Sequence, residues 1–214
     1  MHDVLERVAA NGVVAILRGV EPAVIVPLGR ALLAAGVGAV EVTLNSEGAF
    51  DGIAKLRQEL GDAIPVGAGT VMDDEAARKA VGAGAMFLLT PHLAEDVLAA
   101  AIALGVPAVV GTMTPTEAVR AWRLGAEMVK VFPAGTLGAG YFRELRGPLP
   151  HIPTMAVGGV NAANAGDFIR AGAAAVGAGS QLVDQAAAAR GDWAAVRHKA
   201  AGLVAAVTEA RTGS

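Results

Sequence analysis

Short apolar segments alternate with amphipathic Ala- and Leu-rich segments along nearly the whole chain. Short apolar segments between turn signals are typical of buried strands, and we predict eight of them at Val13–Leu17, Ala39–Leu44, Ile64–Ala68, Met86–Thr90, Pro107–Val110, Met128–Phe132, Thr154–Val157 and Ala174–Gly177. The other segments predict helices at Pro22–Ala35, Glu47–Leu60, Asp74–Val81, Ala94–Leu104, Pro115–Leu124, near Gly140–Leu145, at Ala162–Ala171 and near Trp193–Ala210. The last residues, 211–214, are expected to form a frayed tail.

Glycine recurs at the ends of the predicted helices, directly before predicted strands. Glycine is the usual residue after a helix end, and it stands there at Gly36, Gly84, Gly105, Gly125 and Gly172. This regular repeat predicts eight βα units, and hence a closed (β/α)8 TIM barrel that forms a single domain over residues 1–214. An open doubly wound sheet is the alternative, but it would place a Gly-rich loop after the first strand, where the chain reads LRGVEP.

The composition narrows the possible functions. The chain has 214 residues, a net charge of −3 and no cysteine, so it offers no basic patch for nucleic acid, no disulfide and no zinc–thiolate site. The N-terminal segment carries Asp3 and Glu6 where a signal peptide would be basic, and the apolar windows are too short to cross a bilayer. We therefore expect a cytoplasmic protein with neither nucleic acid nor membrane as a partner.

Two charged residues lie within predicted buried strands. Side chains alternate between the two faces of a strand, so the valines at 129 and 131 are expected to meet the helices while Met128, Lys130 and Phe132 face the barrel interior. By the same alternation Glu41 faces the interior from the second strand. Lys130 and Glu41 are thus predicted inside the same barrel.

This pair has a structural and a functional interpretation. A buried salt bridge adds little net stability, because desolvation offsets the attraction. Alternatively, burial lowers the pKa of the Lys130 amine, which can then attack a ketone and form an imine, with Glu41 moving the protons. Such chemistry needs no cofactor, and no cluster with metal-ligand spacing is evident in the sequence.

Two glycine-rich turns follow the last two predicted strands, in AVGGVNAAN (156–164) and VGAGSQL (176–182). Loops at these positions of a (β/α)8 barrel commonly bind phosphate through backbone N–H groups. The candidate residues are Gly158, Gly159, Gly179 and Ser180, although glycines in tight βα turns would give the same pattern.

Two further polar residues end predicted strands. Arg18 follows the first strand and is a candidate clamp for a carboxylate or phosphate, or else a solvated strand-end arginine. Thr70, in GAGTV, is a candidate carboxylate ligand, or else a helix N-cap.

Seven motifs together resemble one enzyme family. AILRG (15–19), EVTLN (41–45), GAGTV (67–71), TP (90–91), VKVFPA (129–134), AVGGV (156–160) and GAGS (177–180) match, in order and spacing, the class I aldolases that act on 2-keto-3-deoxy-6-phospho sugar acids, the KDPG/KDPGal aldolase family. The resemblance covers almost the whole chain.

The resemblance implies a (β/α)8 barrel, a homotrimer, and cleavage of a phosphorylated keto acid to pyruvate and D-glyceraldehyde 3-phosphate without a metal. Lys130 matches the Schiff-base lysine and Glu41 the general acid/base. The resemblance also implies eight substrate contacts, which are Arg18, Asn45, Thr70, Pro91, Gly158, Gly159, Gly179 and Ser180. Among them, Thr70 is expected near the pyruvate carboxylate, and the three glycines after 150 and Ser180 are expected at the phosphate.

One position bears on the choice of substrate. The gluconate-type enzymes of the family usually have arginine where this chain has Asn45, whereas the galactonate-type enzymes read L-N-S, as in residues 44–46 here. The resemblance therefore favours 2-dehydro-3-deoxy-6-phosphogalactonate, although Thr43 follows the gluconate pattern. The alternatives are the gluconate epimer, 4-hydroxy-2-oxoglutarate, a sugar-phosphate isomerase and a non-catalytic sugar-phosphate-binding barrel.

Overall fold

Eight parallel strands close into a barrel in the computed structural model, which describes residues 1–213. Each strand pairs with the next along the chain, and the last pairs with the first. The strands are β1 (Val13–Leu17), β2 (Ala39–Thr43), β3 (Val66–Gly69), β4 (Leu88–Leu89), β5 (Ala108–Thr112), β6 (Val129–Val131), β7 (Thr154–Val157) and β8 (Ala175–Ala178). The prediction of a closed (β/α)8 barrel is confirmed.

Helices alternate with these strands and cover the outside of the barrel. They are α1 (Asp3–Asn11), α2 (Ile25–Ala34), α3 (Ala49–Leu60), α4 (Asp74–Gly82), α5 (Glu95–Leu104), α6 (Pro115–Arg123), α7 (Ala134–Arg146), α8 (Ala165–Arg170), α9 (Gln185–Ala189) and α10 (Trp193–Thr212). The sequence-based prediction lacks α1 and α9. The apolar spacing of Val4, Leu5 and Val8 is the signal that identifies α1, whereas α9 has only five residues.

The buried apolar residues form two layers, which correspond to the two faces of the strands. The outer layer packs the barrel against the helices and includes Val129 and Val131. The inner layer includes Met128 and Met155. The side-chain directions predicted for this segment are therefore confirmed for three residues. Val129 and Val131 of β6 belong to the outer layer, and Met128, just before the strand, belongs to the inner layer.

Helix α1 contributes to the inner layer. Its Val4, Leu5 and Val8 are buried in the same cluster as Phe87 and Met128, which precede β4 and β6. Because these contacts lie at the amino ends of the strands, α1 closes that end of the barrel with apolar side chains. The carboxyl ends of the strands are left for a ligand.

The expected frayed tail is wrong for Arg211 and Thr212. Helix α10 continues to Thr212, and Arg211 donates hydrogen bonds from Nη2 to the carbonyl oxygens of Ala9 (2.6 Å) and Ala174 (2.7 Å). The arginine thus ties the last helix to the end of α1 and to the segment before β8. Residue 214 lies outside the described residues.

Candidate active site

A cavity of about 730 Å³ lies at the carboxyl ends of the strands. This volume is within the usual range for a small-molecule site. Asn45 does not line it but accepts a hydrogen bond from Arg18. The other nine residues predicted from the sequence to form the site all line the cavity, and they are Arg18, Glu41, Thr70, Pro91, Lys130, Gly158, Gly159, Gly179 and Ser180.

Lys130 extends from β6 into this cavity. The residue is only 5% exposed, and the centroid of the Phe132 ring lies 5.2 Å from its Nζ. Burial is the main cause that lowers the pKa of the amine below its ordinary value. The charge of Arg18 lowers the pKa further, while Glu41 opposes the shift. The amine is thus more readily deprotonated, and more nucleophilic, than an exposed lysine.

Glu41 extends from β2 and is almost completely enclosed, with 1% of the residue exposed. Glycine is needed beside it, because a Cβ atom on Gly69 would lie 2.5 Å from Oε1 of Glu41. Burial raises the pKa of the carboxyl above its ordinary value, partly offset by Lys130 and Arg18. The Oε2 atom has no hydrogen-bond partner within the described residues. A buried acceptor of this kind is free to bind a ligand group or to carry a proton.

Lys130 and Glu41 influence each other electrostatically but do not form a direct ion pair. None of the ion pairs within 4.0 Å among residues 1–213 joins these two side chains. The buried salt bridge that the sequence left open is therefore not formed at contact distance. Both groups instead line the same cavity, as an amine and a carboxyl that can act on one ligand.

Arg18 joins two other candidate residues at the rim. Its Nη1 donates to Oδ1 of Asn45 (2.9 Å), and its Nη2 donates to Oγ1 of Thr70 (3.2 Å). Thr70 has φ of +56°, in the left-handed region that a β-branched residue rarely adopts. Strained residues of this kind cluster at functional sites, where the surrounding structure holds them. The bond to Arg18 is part of what holds this threonine.

The glycine-rich loops after β7 and β8 form the opposite end of the cavity. Gly158 and Gly159 have φ of 92° and 74°, and the carbonyl of Gly158 accepts a 2.7 Å hydrogen bond from the N–H of Gly135. Within residues 1–213, the N–H groups of Gly159 and Ser180 donate no hydrogen bond. Such free backbone donors at a concave surface suit an anion.

Two residues that line the cavity, Gln185 and Phe132, are not among the site residues predicted from the sequence. The side-chain amide of Gln185 donates to the carbonyl oxygen of Arg18 and thereby links the β8 side of the site to β1. Gln185 begins α9, and neither that helix nor this long-range contact has a clear signal in the sequence. Phe132 also lines the cavity, and the strand alternation that placed Lys130 inside placed Phe132 there as well.

Among residues 1–213, no group of three or more metal-binding side chains is placed to hold an ion. No helix in the same part of the chain has the length and apolarity to cross a membrane.

The fold and cavity define a (β/α)8 barrel whose site contains a buried lysine and glutamate, and comparison with known proteins identifies its family. The family model "KDPG and KHG aldolase" matches residues 4–199. The 2-dehydro-3-deoxy-6-phosphogalactonate aldolase of Escherichia coli is 36% identical over 170 residues, covering 79% of this chain and 83% of the relative. The chain belongs to the KDPG and KHG aldolase family and is an aldolase, which is a lyase.

Other relatives extend the match to the whole barrel. The 2-dehydro-3-deoxy-phosphogluconate aldolase of Treponema pallidum is 36% identical over 197 residues, covering 92% of each chain. The structure described as native KDPGal superposes with a TM-score of 0.87 at 33% identity, covering 94% of this chain and 96% of the other. The KDPG aldolase of Legionella pneumophila, with pyruvate captured as a covalent carbinolamine, has a TM-score of 0.85 at 27% identity, covering 92% and 96%.

Proposed function

We propose that this protein is a class I aldolase that cleaves 2-dehydro-3-deoxy-6-phosphogalactonate to pyruvate and D-glyceraldehyde 3-phosphate. The observation that carries the proposal is the buried Lys130 amine, which shares one cavity with the enclosed carboxyl of Glu41. The relative from Legionella pneumophila, which forms a covalent carbinolamine with pyruvate, supports the same chemistry. No metal or other cofactor takes part in the proposed reaction.

The first half of the reaction forms the imine. The neutral amine of Lys130 attacks the C2 carbonyl of the substrate and gives a carbinolamine. Loss of water then gives a protonated imine (iminium), with Glu41 supplying the proton that the departing hydroxyl needs. The lowered pKa of the amine favours the attacking form, and the raised pKa of the carboxyl favours the proton-donating form.

The second half breaks the carbon–carbon bond. Glu41, now a carboxylate, takes the proton of the C4 hydroxyl, and the C3–C4 electron pair moves into the iminium. D-Glyceraldehyde 3-phosphate leaves, and an enamine of pyruvate remains on Lys130. The same carboxyl returns the proton to C3, and hydrolysis of the imine releases pyruvate and the free amine.

The two ends of the cavity fit the two anionic ends of this substrate. Arg18 and Thr70 are proposed to bind the carboxylate beside C2, because a guanidinium suits a carboxylate and the threonine hydroxyl lies next to it. The phosphate is proposed to bind at the opposite end, on the free N–H groups of the β7 and β8 loops. Pro91 is proposed as an apolar contact with the substrate.

Cleavage of the two C4 epimers tests this function. We expect pyruvate release from both, with a higher kcat/KM for the galactonate epimer, measured with a coupled pyruvate assay. The variant Asn45→Arg introduces the arginine of the gluconate-type enzymes and should move the preference toward the gluconate epimer. The gluconate activity is the second candidate, since the Treponema pallidum relative matches over 92% of this chain. Absence of pyruvate release from both epimers would disprove the proposed function.

We also propose that the protein is a cytoplasmic homotrimer. A designed cage built by fusing symmetric oligomeric domains has a TM-score of 0.88 with this chain at 33% identity, covering 94% of this chain and 74% of the cage chain. Ile102 and Leu124 are exposed apolar side chains, 54% and 41% accessible, that an interface between copies would cover. Light scattering should give about three times the 21.3 kDa mass of one chain, and a monomer would contradict the proposal.

A further inference from the structure

A lysine of the last helix holds one of the two glycine-rich loops. Lys199 lies on α10, and its Nζ donates a 2.8 Å hydrogen bond to the carbonyl oxygen of Ser180. Ser180 follows β8 and lines the cavity, whereas Lys199 does not. Lys199 takes part in none of the ion pairs formed among residues 1–213. Its positive charge is therefore not neutralised by a neighbouring carboxylate.

The charged side chains that line the cavity do not come from the loops after β7 and β8. Among its lining residues in the described chain, the cationic side chains are Arg18 and Lys130, and both interact with Glu41. The loops after β7 and β8 contribute only uncharged residues to the lining. Hydrogen bonds to an anion are stronger when the donor is charged. Lys199 brings a cation to this otherwise uncharged end from outside the cavity.

The contact with Ser180 also fixes the direction of a backbone donor. The carbonyl of Ser180 belongs to the same peptide group as the N–H of Gln181. In a trans peptide these two bonds point in opposite directions, so the N–H of Gln181 is turned away from Lys199. Gln181 lines the cavity, and its N–H donates no hydrogen bond within residues 1–213. An ammonium on the carbonyl polarises the peptide group and strengthens this donor.

We propose that Lys199 is a positioning residue of the phosphate subsite. Through the carbonyl of Ser180 it orients and polarises the peptide group that ends at Gln181, and the N–H of Gln181 binds the substrate phosphate. This inference rests on the proposed function for the identity of the phosphorylated substrate. It adds a residue that contacts neither the substrate nor the reacting atoms, yet determines how much the phosphate contributes to binding.

Kinetics of a charge-removing variant test the role of Lys199. In Lys199→Met we expect the KM for the phosphorylated keto acid and the Ki of inorganic phosphate to rise about tenfold, since a nearby charge acts strongly on a dianion in a partly enclosed site. We expect kcat to stay within about twofold, and kcat/KM for unphosphorylated 4-hydroxy-2-oxoglutarate to be unchanged. Lys199→Arg should retain most of the phosphate effect.

Arg197→Met is the matched control, because it removes one positive charge from the same helix without lying on the cavity. It should leave the KM for the phosphorylated substrate and the Ki of phosphate at wild-type values. Equal losses for the phosphorylated and unphosphorylated substrates in Lys199→Met would show a general structural role and overturn the inference. An equal effect in Arg197→Met would also overturn it, since net charge alone would then be the cause.

A binding measurement tests the inference independently of turnover. Inorganic phosphate should raise the Tm of the wild-type protein and raise that of Lys199→Met much less. The same rise in both proteins, or none in the wild type, would overturn the inference even if the enzyme cleaves its substrate. Conversely, a Lys199-dependent rise in a protein that cleaves neither epimer would support the inference and disprove the proposed function.

Discussion

Replacing Lys130 by methionine is expected to lower kcat/KM for the phosphorylated keto acid by about 10⁵-fold or more, because the variant lacks the covalent nucleophile. Methionine has a similar length and suits the buried position, where Lys130 is 5% exposed. The fold should therefore persist while the group that forms the imine is removed. Steady-state kinetics on both C4 epimers measure the loss.

Borohydride reduction in the presence of pyruvate identifies the amine directly. Wild-type protein should gain the mass of one reduced pyruvate adduct, located by peptide mapping on Lys130. Lys130→Met should gain none, while Lys55→Met, which removes an exposed lysine of α3, should react like the wild type. An adduct on another lysine, or substantial turnover by Lys130→Met, would refute the assignment of Lys130.

Lys130→Met should also change the pH dependence of stability. Because burial lowers the pKa of the folded amine below 10.5, the unfolded chain binds more protons between that lowered pKa and 10.5. Wild-type stability therefore rises with pH over this range. The variant lacks this contribution, so it should be more stable than the wild type below the lowered pKa, and its advantage should disappear as the pH approaches 10.5. Thermal melting across this range measures the difference.

Replacing Glu41 by glutamine is expected to lower kcat by about 10²- to 10⁴-fold, the usual contribution of a general acid/base. Glutamine keeps the shape of the side chain beside Gly69 but cannot take or give the proton. Pyruvate should still be trapped on Lys130, at a lower rate, because the amine remains. A variant that keeps more than a tenth of wild-type kcat would show that another group moves the protons.

The pH profile gives a second measure of Glu41. Its pKa lies above the ordinary 4.5 because the carboxyl is buried, so the protonated form that supplies the first proton of the proposed reaction persists above pH 4.5. Wild-type kcat/KM should accordingly fall as the pH rises through the raised pKa of Glu41, and this fall should be absent in Glu41→Gln. Between 4.5 and the raised pKa the folded state binds more protons, so wild-type stability falls as the pH rises. The variant should gain relative stability over the same range.

Much of the barrel could be predicted from local sequence patterns. Glycines after helices and apolar segments with helices between them marked all eight βα units, because each element has its own periodicity. The exact ends of the strands are harder to predict from local patterns than their existence. In the structure β4 spans only Leu88–Leu89, where it pairs with β3 and β5, although the predicted segment is longer; such pairing depends on residues distant in sequence.

The inward facing of Lys130 and Glu41 follows from the sequence alone, since side-chain alternation along a strand does not depend on the partner strands. The surroundings of these two groups, by contrast, are visible only in the folded structure. It showed that their side chains form no ion pair at contact distance, that Gly69 leaves room for Glu41, and that Thr70 is held at positive φ. It also brought Lys199 to the β8 loop. Distances, burial and backbone strain depend on chain segments far apart in sequence, so no local pattern encodes them.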